Sequence, residues 1–275
     1  RKLNLPFDSS SKIVGPRLLH NSQWGYIDPV DTPDGGNIGL HKHMAISTRI
    51  TKNYSMKKLV NWLISEKYMV HINNITPDIA CNQVKIFING SWLGCTNQPR
   101  KMVETFKIHR RNGLINSFFS ISWEINANII YFFTDGGRLI RPIFNLQNGL
   151  DNLVDVSTKI ATYSWNQLIG GFKTKTIENY RADHNNFYSI GDIYKDSKSV
   201  RKTADLIKYS GVVDYIDPCE SETVMIALNT EKITNQTDYK INYTHLEIHP
   251  SLMFGVMGNQ IIFPENNPCP HNIFS

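Results

Sequence analysis

Between Gly15 and Leu40 the chain carries five glycines and three prolines within 26 residues, with turn formers set between its apolar residues. Glycine opens positive φ and proline fixes φ while removing a donor, so such a stretch cannot run as a helix or a ladder. It must be a tightly prescribed loop. A loop of this kind can hold Arg17, Asp31 and Asp34 at set positions beside a ligand. For an arbitrary chain the plainer reading is a set of turns between strands.

Periodic signals begin after that loop. Leu59, Trp62 and Leu63 recur at helical spacing behind Ser55, predicting a short amphipathic helix. Val84–Ile88 reads as a strand before Asn89-Gly90, a type I′ hairpin signal, and Ile129–Phe133 as another before Asp135-Gly136-Gly137. Pro99–Arg111 reads as a helix with Met102, Val103, Phe106 and His109 on its apolar side and Arg100, Lys101, Lys107, Arg110 and Arg111 elsewhere. A short helix is expected near Ala204–Tyr209, a break at Gly211, and strands at Val212–Ile216 and Thr223–Leu228. Residues 229–243 read as a polar connector, and an apolar, Pro-punctuated text opens at Thr244. The fold class is therefore mixed α/β (α+β) in several modules, divided at 1–54, 55–74, 75–145, 146–243 and 244–275.

Composition narrows the classes. No apolar run reaches the roughly 18 residues of a membrane span and no leader opens the chain, so the expectation is an intracellular protein without a membrane partner. Both ends read as cut from something longer, since the chain opens on Arg1. A net charge of +5 suits a polyanion but is also an ordinary solvated surface. Cys81, Cys95, Cys219 and Cys269 are scattered, which predicts reduced, mostly buried thiols and no zinc. His245-x-Glu247 with Pro268-Cys269 carries half of a zinc-deaminase signature, yet Asn272 stands where the second cysteine is needed. His41 and His43 with Asp34 are read as packing or loop residues. Asp214, Asp217, Glu220 and Glu222 are read as a solvated acidic turn, lacking any calcium-loop spacing.

Four ordered blocks carry a family resemblance. The first is Gly15-Pro16-Arg17-Leu18-Leu19-His20-Asn21, Trp24-Gly25, Asp31-Thr32-Pro33-Asp34-Gly35 and Gly39-Leu40. The second is Val84 to Gly90, Arg110-Arg111-Asn112-Gly113, Thr134 to Arg138 and Arg141-Pro142; the third is Gly211 to Asp217 with Glu220. The last is His245-Leu246-Glu247-Ile248-His249-Pro250-Ser251, Phe263-Pro264 and Asn267-Pro268-Cys269-Pro270-His271-Asn272. In this order they resemble the second-largest (β-type) subunits of multisubunit DNA-directed RNA polymerases.

That resemblance implies a fork region over 1–54, a helical connector over 55–74, an external 1 domain over 75–145, with a Thr-Asp-x-Gly-Arg hairpin, an external 2 domain with a polar linker over 146–243, and the start of a hybrid-binding domain over 244–275. It implies template-directed nucleotidyl transfer, with Arg1, Lys2, Lys12 and Arg17 facing nucleic acid, Asp31, Asp34 and Asn37 in an active-centre loop, and His271 and Asn272 near the nucleotide. The implied partners are the largest polymerase subunit, other subunits, the DNA template, the RNA–DNA hybrid and ribonucleoside triphosphates. Mg²⁺ would be held mainly by the largest subunit, so no catalytic residue or metal ligand is expected here. The implied location is nucleus or cytoplasm, or a virion or viral factory, since large DNA viruses carry Asn- and Ile-rich versions of this subunit. Two departures stand out: Asp31 and Asp34 replace glutamates, and His271 replaces an Arg that would reach the triphosphate. They keep open an assembly module without catalysis and a degenerate paralogue. Arg138 and Arg141 are expected in structural salt bridges or partner contacts.

Overall fold

A computed structural model describes residues 1–8, 10, 13–146, 151–171, 206–207, 210–234 and 242–274. Strand β1 (Lys2–Asn4) pairs antiparallel with β2 (His41–His43), closing the long loop between them, which holds single 3-10 turns at Gly15–Arg17, Asn21–Gln23 and Gly35–Asn37. Then come β3 (Arg49–Ile50), α1 (Lys57–Ser65), β4 (Val70–His71), α2 (Pro77–Asn82), β5 (Val84–Ile88), β6 (Ser91–Thr96), α3 (Pro99–Arg111), β7 (Ser120–Glu124), β8 (Ile129–Phe133) and β9 (Leu139–Asn145). The described remainder holds α4 (Asp151–Thr162), α5 (Trp165–Gly170), β10 (Val213–Ile216), α6 (Pro218–Ser221), β11 (Ile226–Ala227), α7 (Glu231–Thr234), β12 (His245–Leu246) and α8 (Cys269–Phe274). The α+β, multi-module expectation holds.

One five-stranded sheet runs β4-β6-β5-β8-β7. Its β5–β6 turn is the expected one: Asn89 and Gly90 both take positive φ (48° and 81°), the twist a two-residue hairpin needs. The Asn89 side chain also bonds the Thr134 N–H and hydroxyl, pinning the turn to the end of β8. Because α3 crosses over between β6 and β7, β5 and β8 lie parallel. Leu59, Trp62 and Leu63 of α1 and Met102 and Phe106 of α3 pack on Ile86, Ile88, Ile121, Ile130 and Phe132, making the main core. Phe106 meets Phe132 edge-on at 5.2 Å between centroids. His109 joins this apolar side, edge-on to Trp62 at 5.6 Å, as α3's periodicity predicts.

The second five-stranded sheet is centred on β9, which pairs with β10 along one side and with β3 and β12 along the other. Here the structure corrects an expectation. The Thr134–Arg138 turn closes no hairpin; it hands the chain from the first sheet to the second. Thr51 fixes that hand-over, exchanging backbone bonds with Gly137 and Arg138 while its hydroxyl bonds Asp135 O and the Arg138 N–H. Thr223–Leu228 shortens to β11. The helix expected near Ala204–Tyr209 lies mostly outside the described residues, as does much of the 229–243 connector.

Candidate nucleic-acid interface

Two of the four cations proposed from the sequence, Arg17 and Arg1, are turned onto their own loop. Arg17, half-buried, donates from Nε to Ile13 O (3.1 Å) and from Nη1 to Gly36 O (2.7 Å) and Ile38 O (3.0 Å), stitching the loop's two flanks together. Gly39 makes that approach possible, since a Cβ on it would come 2.5 Å from the Arg17 backbone. Arg1 Nη2 donates to Ala45 O (2.6 Å), Ile46 O (3.0 Å) and Thr48 O (3.0 Å). Lys2 is exposed on β1 opposite His43, and Lys12 lies outside the described residues.

Asp31 is half-buried with Oδ1 2.9 Å from His43 Nδ1; burial pushes its carboxyl up, and His43 draws it partly back. Thr32 Oγ1 donates to His41 O and accepts from the Gly39 N–H, both at 2.9 Å. Asp34 and Asn37 are exposed at the two ends of the Gly35–Asn37 turn. Leu18, Leu19 and Trp24 are exposed on the same loop, so it offers apolar surface as well as polar groups.

The C-terminal stretch is a second irregular region. Turns at Pro250–Met253, Gly258–Gln260 and Pro264–Asn266 lead into α8. Asparagine side chains brace them: Asn259 donates to Gly255 O (2.9 Å), and Asn272 to Pro264 O (2.9 Å). His271 is exposed on α8, whereas Asn272 is buried and its Oδ1 lacks a hydrogen-bond partner. The two regions meet: Ile46 N–H bonds Phe254 O, and Gly255 N–H bonds the Asp28 carboxylate.

The largest charged constellation was misread from sequence. Arg110 and Arg111, placed away from the apolar side of α3, are buried, as are Asp214, Asp217 and Glu220; only Glu222 is solvated as expected. Arg110 makes a fork-to-fork pair with Glu220 (2.8 and 2.7 Å) and donates to Phe119 O (2.9 Å). Arg111 grips Asp214 from Nε and Nη2 (3.0 and 2.6 Å), and His245 Nε2 lies 3.4 Å from the same carboxylate. Burial alone would raise the Asp214 carboxyl, but Arg111 and Arg110 hold it well below the usual range. Glu220 is lowered in the same way, its burial outweighed by Arg110. Burial lowers His245 against the pull of Asp214, and it lowers Lys107 beside them. One sequence signal could have found this: Asp214 sits inside the apolar run Val212 to Ile216, where a carboxylate needs a buried cation.

Arg138 binds Asp135 (2.9 Å) and Asp217 (3.1 Å), and Arg141 binds Glu247 through both nitrogens (2.6 and 2.8 Å), so the structural salt bridges expected for both arginines are present. Glu247, the carboxylate of the half signature for zinc, is thus taken by Arg141. Among the described residues no three His, Cys, Asp or Glu side chains gather as a metal cage, and no helix is long and apolar enough to cross a membrane. Cys95 is buried and Cys219 half-buried, but Cys81 and Cys269 are exposed, correcting the expectation of mostly buried thiols; both lie on short helices whose packed faces are few.

Three family models match the chain in order: RNA polymerase Rpb2, domain 3 over residues 1–50, domain 4 over 86–147 and domain 5 over 204–250. The chain is 30% identical over 279 residues to DNA-directed RNA polymerase II subunit 2 of Arabidopsis thaliana, covering 100% of this chain and 21% of that protein. It is 27% identical to DNA-directed RNA polymerase II subunit RPB2 of Schizosaccharomyces pombe (100% and 23%) and 28% identical to DNA-directed RNA polymerase III subunit RPC2 of Drosophila melanogaster (99% and 20%). It spans about a fifth of the length of these relatives.

Proposed function

For a chain that belongs to the Rpb2 family of RNA polymerase subunits, we propose a place in the second-largest subunit of a DNA-directed RNA polymerase, where it helps form the active-centre cleft for template-directed RNA synthesis. The observation that carries this reading is the run of Rpb2 domains 3, 4 and 5 in their numbered order, on a chain that aligns along its whole length with second subunits. The 1–54 loop serves as the fork, 55–74 as the helical connector, 75–145 and 146–243 as the external domains, and 244–275 as the opening of the hybrid-binding domain.

In this reading Arg1 and Arg17 shape the loop from within, through the carbonyls they bind, and Lys2 and Lys12 meet phosphate in a salt-dependent way. Asp31, Asp34 and Asn37 line the active-centre loop, and His271 and Asn272 lie nearest the nucleotide. Partners are the largest subunit, the other polymerase subunits, the DNA template, the RNA–DNA hybrid and ribonucleoside triphosphates, inside the cell. Mg²⁺, where bound, would neutralise phosphate charge during transfer, held mainly by the largest subunit.

The test is affinity purification of the full-length polypeptide, asking whether a largest subunit and template-dependent RNA synthesis come with it. Recovery of both is expected. RNA synthesis by the purified 275-residue segment alone would overturn the division of labour, and a full-length protein without either would overturn the reading. His271 favours a second reading, a paralogue altered in nucleotide handling. On that reading His271→Arg in the assembled enzyme leaves elongation unchanged.

A further inference from the structure

Asp28 is a buried carboxylate, 4% exposed, at the point where the loop and the C-terminal stretch meet. Its Oδ1 accepts the Val30 N–H (2.9 Å) and the Asp31 N–H (3.3 Å), which fixes the start of the segment carrying Asp31 and Asp34. Its Oδ2 accepts the Gly255 N–H. The opposing backbone is shaped to admit it: a Cβ on Gly258 would lie 2.6 Å from Oδ2, and one on Gly255 3.0 Å. Gly258 opens the turn after which Asn267 donates to Ile262 O (3.4 Å) and Asn272 of α8 to Pro264 O (2.9 Å). Together with the Ile46 N–H bond to Phe254 O, this carboxylate ties two irregular segments that no apolar cluster joins among the described residues. Bonds accepted by a buried carboxyl are costly to lose, because water cannot substitute for the lost partner.

We propose that Asp28 is a positioning residue that holds the Asp31–Asn37 loop in register with the His271–Asn272 end of the chain, and so sets nucleotide affinity. The inference rests on the polymerase reading above. Asp28 touches no substrate; it acts through the two segments it ties together. Its loss misplaces groups that hold the nucleotide before transfer, a defect that raises KM more than it lowers the maximal rate.

The experiment uses polymerase assembled around the full-length polypeptide, with nucleotide KM and maximal elongation rate measured on a primed template. Asp28→Ala is expected to raise KM about tenfold or more while the rate stays within about threefold, with Asp28→Asn, which keeps one accepting oxygen, between it and the parent. Gly258→Ala, which pushes against Oδ2 from the other side, is expected to raise KM in the same sense. An Asp28→Ala enzyme that assembles and elongates with unchanged KM overturns the inference and leaves the polymerase reading intact. Failure of all three variants to assemble, or assembly of Asp28→Asn and Gly258→Ala with unchanged KM, also overturns it, making Asp28 a folding residue. A parent complex that makes no RNA from template sinks the polymerase reading itself.

Discussion

The β4–β8 sheet with its two covering helices and the paired loops at 13–48 and 249–274 differ in how far they rely on apolar burial. The first region hides Leu59, Leu63, Ile86, Ile88, Met102, Phe106 and Phe132 completely, so its shape follows from apolar burial. The second buries Tyr26, Leu40 and Ala45 but leaves Leu18, Leu19, Ile262 and Phe263 exposed, and much of its shape rests on directed bonds: Arg17 and Arg1 on carbonyls, Thr32 across the loop, Asp28 on Gly255. Burial tolerates small errors of angle, whereas a hydrogen-bonded loop has few substitutes for each lost contact. An ionic seam of Arg110 and Arg111 with Glu220 and Asp214 joins α3 on the first sheet to the second, and Arg138 and Arg141 with Asp217 and Glu247 extend it along β9.

Variants can set these modes of construction against one another. The largest effect is expected at the seam. Arg110→Ala strands Glu220 in a dry site and should cost about 3–5 kcal/mol by chemical denaturation, whereas the joint change Arg110→Met with Glu220→Leu should cost clearly less. A core variant comes next: Leu63→Ala should cost about 3 kcal/mol, with elongation by the assembled enzyme otherwise unaltered.

Acid supplies a third test. Burial lowers His109 from 6.5 to about 4 in the folded chain. Between those values the unfolded chain takes up a proton that the folded chain refuses, so stability is full above about pH 6.5 and falls toward pH 4. The loss between pH 7.5 and pH 4.5 should be about 2.5 kcal/mol, and His109→Leu should lack it, so that it appears in the difference between parent and variant. Carboxylates held low by the seam, Asp214 and Glu220, contribute above the ordinary carboxylate range and lose that contribution only at still lower pH. The smallest change is expected in the loop. Arg17→Lys should cost about 1 kcal/mol in stability because an ammonium cannot span Ile13, Gly36 and Ile38 together, yet it should weaken binding of a primed template more visibly at high salt.

What the sequence discloses follows the same divide. The bounds of α3, the strands β5 and β8 and the Asn89-Gly90 turn could all be read, because helical spacing, β-branching and positive-φ residues act within a few positions. The fate of Arg110 and Arg111 could not. Periodicity says which side of α3 is apolar, but the carboxylates that draw the guanidiniums inward lie more than 100 residues onward. The parallel pairing of β5 with β8 and the passage of β9 into another sheet are likewise long-range outcomes. For the candidate site, the Gly- and Pro-rich loop was legible as rigid. The sequence could not tell that Arg17 and Arg1 spend their donors on carbonyls of that loop, since a cation in a turn reads the same whether it faces in or out.

Strand β9 carries a last implication. A single seven-residue strand is ladder partner to β3, before it in the chain, and to β10 and β12, after it, with Pro142 falling where one side passes from β3 to β12. Its partners are set by where the chain returns to it, so the stretches between those returns can grow or shrink without disturbing the frame. Within β9 a single inserted residue would have the opposite effect: alternation would reverse, Arg141 would turn from Glu247, and every neighbouring strand would meet the wrong face. Length variation among kindred chains should therefore concentrate between β9 and β10 and between β11 and β12, and be absent from Leu139–Asn145.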